Sequence, residues 1–162
     1  MSYAIVYSSR TGNTRLLADT VRQALDPADC LYFGPPDPAA LAADCLYLGF
    51  WTDKGSCDEQ TARFLSQLTN QRVFLFGTAG FGGAQQYFGG ILDRVRGQLP
   101  DTVTVTGSFL CQGKMPPSVR ARYESMPESP RRNAMIENFD RALSHPDAAD
   151  LAGLKAALGG AQ

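Results

Sequence analysis

Residues 9–14 read Ser-Arg-Thr-Gly-Asn-Thr, a run that gathers groups able to grip one small anion. The hydroxyls of Ser9, Thr11 and Thr14, the side-chain amide of Asn13 and the successive backbone N–H groups can all donate to a phosphate, while Gly12 lets the main chain come close. Arg10 can touch the anion or face solvent. Apolar residues 4–7 precede the run and a helical pattern follows it, so it occupies a strand-to-helix junction, where the first amides of a helix lack partners. Two familiar phosphate binders do not fit. The loop has no lysine to reach a nucleoside triphosphate, and it has one glycine where a dinucleotide fingerprint needs three. A terminal monophosphate remains.

Other reactive side chains are sparse. Cys30, Cys45, Cys57 and Cys111 are widely spaced with no Cys-x-x-Cys pair, which suggests neither a zinc site nor a disulfide framework. Cys57 stands at an expected helix start, where a thiolate is favoured, although an unreactive loop cysteine is the simpler reading. His145 is the only histidine and precedes Pro146, as a capping or surface residue would. No catalytic residue and no metal ligand is expected, because acid-base or metal chemistry has little here to build on.

The elements that must hold the phosphate run can be read from periodicity. Short apolar stretches alternate with segments of helical period, the signature of repeated βα units around a parallel sheet buried on both faces. Five strands are expected at 3–7, 29–33, 45–50, 72–77 and 103–111, the last interrupted by Gly107. Helical stripes run through Leu16, Leu17, Thr20, Val21, Ala24 and Leu25, through Ala62, Leu65 and Leu68, and through Phe88, Ile91, Leu92 and Val95. Ser56 and Glu59 have capping-box spacing and are expected to start the second of these helices. Residues 113–133, rich in proline and arginine, read as a surface excursion that covers or docks a partner. A helix carrying Met135, Ile136, Phe139 and Leu143 is expected to return to the sheet, and 147–160 reads as one more amphipathic helix.

The 162 residues, 44% of them apolar, suit one domain spanning 1–162. The net charge of −1 advertises neither nucleic acid nor an anionic membrane as partner. It hides an asymmetry: residues 1–60 carry four basic and eight acidic residues, whereas residues 113–133 carry five basic and two acidic. No leader or membrane-spanning stretch is visible, and a cytoplasmic location is expected.

The run Ser9–Thr14 resembles the phosphate loop of the flavodoxin family, Ser/Thr-x-Thr-Gly-x-Thr, and the resemblance extends through most of the chain. It implies an α/β flavodoxin-like three-layer sandwich with a five-stranded parallel sheet in the order 2-1-3-4-5, and FMN as cofactor. The family's flavin loops would be "GFWTDKGSCDEQ" after the third strand and "GTAGFGGAQQYF" after the fourth. On that basis Trp51 and Phe81 bracket the ring, with Phe50 and Tyr87 behind them. Thr52 belongs to the first loop, and Thr78, Ala79, Gly80, Gly82 and Gly83 meet the ring edge. Many flavodoxins carry an acidic residue and a tyrosine in the second loop, and "TAGFGG" has neither.

The middle of the chain is similar to a subgroup from anaerobes associated with bilirubin-reducing enzymes. The resemblance therefore implies an electron-transfer protein working between a reductase and a terminal redox enzyme, which could be a bilirubin or tetrapyrrole reductase. One alternative is an FMN-dependent NAD(P)H:quinone or small-molecule reductase on the same fold. Another is an interaction protein that has lost its flavin.

Overall fold

The computed structural model describes residues 1–82 and 85–161. Its strands, in chain order, are β1 (Tyr3–Tyr7), β2 (Cys30–Gly34), β3 (Cys45–Asp53), β4 (Ser56–Cys57), β5 (Arg72–Ala79) and β6 (Thr104–Gln112). Its α-helices are α1 (Asn13–Ala24), α2 (Glu59–Leu65), α3 (Gln85–Arg96), α4 (Pro117–Glu124), α5 (Pro130–Ala142) and α6 (Ala148–Gly160). The five long strands pair in parallel in the order β2-β1-β3-β5-β6, the 2-1-3-4-5 arrangement expected when the two-residue β4 is left out of the count.

Strand alternation builds both halves of the core. Ala4 and Val6 of β1 and Val73 and Leu75 of β5 join Phe64, Leu65, Ile91 and Val95 on one face of the sheet. Tyr3 and Ile5 of β1 and Phe74 and Phe76 of β5 join Leu17, Val21, Leu154 and Leu158 on the other. Successive strand residues point to opposite faces, so a sheet covered on both sides reads as a continuous apolar run. At β6 the pairing slips by one residue opposite Val73 and Phe74, and Gly107 packs against the Phe74 ring. That slip is the irregularity the sequence marked.

Three expectations need correction. Ser56 does not cap α2. The residue that does is Asp58, whose carboxylate accepts from the backbone N–H of Thr61 at 3.1 Å, because Ser56 is drawn into β4. The stretch after β3 is no open loop. The strand runs on to Asp53 and folds back through Lys54 and Gly55, both left-handed (φ 52° and 80°), into an antiparallel pair with β4. Two consecutive left-handed residues make the tight turn that suits a twisted two-residue hairpin.

The third correction concerns residues 113–133, which are largely helical. Pro117 and Pro130 each begin a helix, where proline's missing N–H costs nothing. Arg120 makes a two-point contact with Asp140 (Nε–Oδ1 2.9 Å, Nη2–Oδ2 3.1 Å) that ties α4 to α5, and Arg132 donates to the carbonyls of Tyr123 and Glu124 at the end of α4. The helix that covers the sheet face beside α1 is α6, through Leu154 and Leu158. In α5, Phe139 is buried while Leu143, just past its end, is exposed. No helix among the described residues is long and apolar enough to cross a membrane.

Candidate functional site

The carboxyl ends of β1, β3, β5 and β6 converge on one cavity of about 320 Å³, within the range of small-molecule sites and at the edge where open α/β sheets bind ligands. The phosphate run borders it through Arg10, Thr11 and Asn13. Gly12 is left-handed (φ 89°) and serves as the N-cap of α1 without a side-chain cap. Most side chains of the run are already engaged. Ser9 Oγ accepts from the amides of Gly12 (3.2 Å) and Arg15 (3.3 Å), so it braces the turn. Asn13 is buried and donates through Nδ2 to the carbonyl of Lys114 at 2.8 Å. Thr14 is buried too, with Oγ1 donating to the carbonyl of Phe50 at 3.3 Å and lying 3.5 Å from Thr78 Oγ1.

The side chains of Asn13 and Thr14 thus donate to main-chain carbonyls, whereas Ser9 Oγ only accepts and keeps its proton free to donate. The bonds of Asn13 and Thr14 anchor the loop to Lys114, just past the end of β6, and to Phe50 of β3. Among the described residues the amides of Asn13 and Thr14 have no acceptor, which is the arrangement that draws an anion to a helix start.

Trp51 and Thr52 line the cavity at the end of β3. Phe50 does not: it is fully buried in the core, and a Cβ on Gly77 would meet its ring at 2.7 Å. Neighbours along a strand face opposite ways, so placing Trp51 in the cavity sends Phe50 to the core. The guanidinium carbon of Arg10 stands 5.5 Å from the centroid of the Trp51 ring. Thr52 Oγ1 is the one buried side-chain polar atom without a hydrogen-bond partner among the described residues. Such an atom is costly unless something supplies a partner.

At the end of β5, Thr78 and Ala79 are buried, Gly80 is half-buried and Phe81 is exposed at the mouth, all four lining the cavity. Gly82 rests against the Gln112 side chain rather than on the cavity wall, and Gly83 lies outside the described residues. The Gly80 carbonyl accepts from Gln112 Nε2 (3.0 Å) and Asn138 Nδ2 (3.1 Å). Two amides therefore fix the orientation of this peptide.

Sequence reasoning gave residues 113–133 a covering or docking role but named none of the side chains that line the cavity. Met115, Pro116, Val119 and Tyr123, from the end of β6 and from α4, close the cavity opposite the strand ends. The signal was the Pro-Pro pair at 116–117, which marks a helix start as well as a loop. Cations dominate the charge of the cavity wall. Arg10, Lys54, Lys114 and Arg122 line the cavity against the single acid Asp53, and none of the four belongs to an ion pair among the described residues.

Little here can move a proton. Cys57 is buried, and burial with Asp58 beside it pushes its thiol up, the reverse of a reactive thiolate. Burial likewise raises Tyr87. His145 lies off the main cavity, with Nδ1 2.6 Å from Asp150 Oδ2. Asp150 and Asp147 in turn form the capping box of α6, a His-Asp-Asp cluster that the sequence spacing did not announce.

The comparisons with known proteins agree with this geometry. The family model described as Flavodoxin domain matches residues 4–159. The flavodoxin-like domain-containing protein BilS of Clostridium symbiosum (strain WAL-14163) is 42% identical, with 94% of this chain and 91% of that protein covered. Its namesake from Clostridioides difficile (strain CD3) is 30% identical over 91% and 88%. The two-electron reduced flavodoxin of Megasphaera elsdenii superposes with a TM-score of 0.55 at 22% identity, covering 86% of this chain and 99% of that one. A strand-end cavity with an anion-drawing loop at one side and an indole at another, on a chain matched over nearly its whole length, has one consistent assignment: the protein belongs to the flavodoxin family, in the group of the BilS proteins.

Proposed function

We propose that this protein binds FMN noncovalently and carries electrons between a reductase and a terminal redox enzyme. The observation that carries the reading is the meeting, in one cavity, of the helix start at Asn13 with the half-buried Trp51. The residues suit the group. Amides of Asn13 and Thr14 await an anion, and the orphaned Thr52 hydroxyl awaits a polar partner. When bound, FMN supplies the chemistry by accepting and releasing electrons.

The chain's own residues hold and tune. The amides of the Ser9–Thr14 run, that of Arg10 among them, bind the phosphate, with Thr11 at its rim. Trp51 covers one face of the ring, excluding water and adding dispersion. Phe81 borders the mouth, and Thr52 with Thr78–Gly80 meets the ring edge. Gln112 and Asn138 keep the Gly80 carbonyl turned away from the cavity.

A carrier is favoured over a stand-alone reductase because the cavity wall offers no histidine, no thiolate and no carboxylate except Asp53, so a substrate bound there would find little to exchange protons with. The four cations at the cavity favour redox partners with acidic surfaces, since complementary charge steers encounter and orients it. As the acceptor we propose a tetrapyrrole reductase of the bilirubin-reducing kind, on the resemblance stated above.

The test is to mix FMN-loaded protein anaerobically with NADH or NADPH and follow the flavin absorbance. A carrier stays oxidised until a flavodoxin reductase is added. Prompt bleaching by the pyridine nucleotide alone would instead establish the NAD(P)H-dependent reductase.

A further inference from the structure

The phosphate run contains no lysine, yet the fold delivers one to it from a hundred residues downstream. Lys114 follows the end of β6, and its main chain is tied in three places. Its carbonyl accepts from Asn13 Nδ2 at 2.8 Å and from Thr11 Oγ1 at 3.4 Å, and its amide donates to the carbonyl of His145 at 3.0 Å. Two of these bonds come from the phosphate run itself, so the Cα of Lys114 is held against that run whatever its side chain does.

The side chain has no competing engagement. Lys114 is exposed and stands in no ion pair among the described residues. It borders the main cavity and also a second one of about 230 Å³, lined by Thr11, Gly12, Asn13, Ser144 and His145. The phosphate run thus lies between the two cavities, and Lys114 reaches both. The other cations of the main cavity are committed elsewhere. The Arg10 guanidinium stands over Trp51 and that of Arg122 over Tyr123, 5.9 Å from the ring centroid, while Lys54 sits at the tip of the β3–β4 hairpin.

We infer that the Lys114 ammonium contacts the terminal phosphate of FMN and makes the site discriminate FMN from riboflavin, an inference that rests on the flavin reading above. A dianion held only by amides relies on partial charges. One mobile ammonium adds a charge-assisted hydrogen bond and offsets part of the net charge. The contact requires only a side chain at this position, because the ties that place Lys114 are main-chain bonds and survive substitution.

The experiment compares dissociation constants for FMN and riboflavin in the wild type, Lys114→Met and Lys114→Arg. Lys114→Met is expected to weaken FMN about tenfold, as loss of one charge-assisted contact implies, with riboflavin unchanged. Lys114→Arg recovers most of the loss, and the difference between wild type and Lys114→Met narrows as salt is added. Unchanged FMN affinity in Lys114→Met overturns the inference, and so does equal weakening of both flavins, which marks a structural role. If neither flavin binds the wild type, the flavin reading itself fails and takes the inference with it.

Discussion

Arg10, in the loop after β1, and Trp51, on β3, lie 41 positions apart in the chain, yet the guanidinium carbon of one stands 5.5 Å from the ring centroid of the other. The contact places a cation and the chain's only tryptophan on the same cavity wall. It also makes that tryptophan a reporter. FMN binding is expected to quench its fluorescence saturably, and Trp51→Ala to weaken FMN about tenfold, the upper end of the ~0.5–1.5 kcal/mol of an aromatic pair. Phe81→Ala, at the exposed mouth, should cost less. Equal, small losses in a fluorescence or absorbance titration would remove Trp51 from the ring site.

Gly12 gives a second prediction. A Cβ there would meet nothing within 4 Å, so the obstacle to a side chain is the backbone conformation alone (φ 89°). Gly12→Ala is expected to cost about 1–2 kcal/mol in denaturant unfolding and to weaken FMN. Gly12→Asn should be milder on both counts, because asparagine visits the left-handed region more readily. Identical losses for the two variants would contradict a purely conformational account.

The Gly80 carbonyl links the ring loop to α5. Asn138→Ala removes one of its two donors and leaves Gln112 Nε2 without its contact to Asn138 Oδ1, at a cost of about 1 kcal/mol. If that peptide positions the cofactor, FMN affinity falls together with the thermal midpoint. A lower midpoint with unchanged affinity would confine Asn138 to holding the fold.

Buried thiols and a buried phenol govern behaviour in alkali. Burial raises Cys57 and Cys111 above the ordinary thiol range and brings Tyr3 to about 12. A group whose pKa is raised on folding stabilises the native state fully below its unfolded value and ceases to do so as pH rises through the folded one. Stability should therefore decline from about pH 8.5 upward, the unfolded thiol value. Native protein at neutral pH should react only slowly at Cys57 with a thiol reagent. Rapid labelling of Cys57 in the folded state would refute its assignment as a packing residue.

The sequence made the sheet legible because burial on both faces leaves continuous apolar strands, and it exposed the phosphate run because hydroxyls and glycine concentrate after β1. What it hid depended on tertiary contact. Nothing local says that Asn13 and Thr14 spend their side chains on Lys114 and Phe50, or that Asp58 outcompetes Ser56 as a cap once β4 forms. The α4–α5 pair was obscured because proline and arginine suggest solvated loop, whereas Pro117 and Pro130 start helices and Arg120 and Arg132 close them onto each other. The sequence put Trp51 on the ring and Phe50 behind it. Their register on β3 separates them.

The measurement that reaches the central claim most directly is an anaerobic visible-spectrum titration of the protein supplied with FMN, reduced in small increments of electrons. The account predicts a perturbed, protein-bound flavin spectrum and two resolved stages, each consuming one electron. A bound flavin reduced in a single two-electron stage, or a flavin spectrum unchanged from that of free FMN, would contradict it.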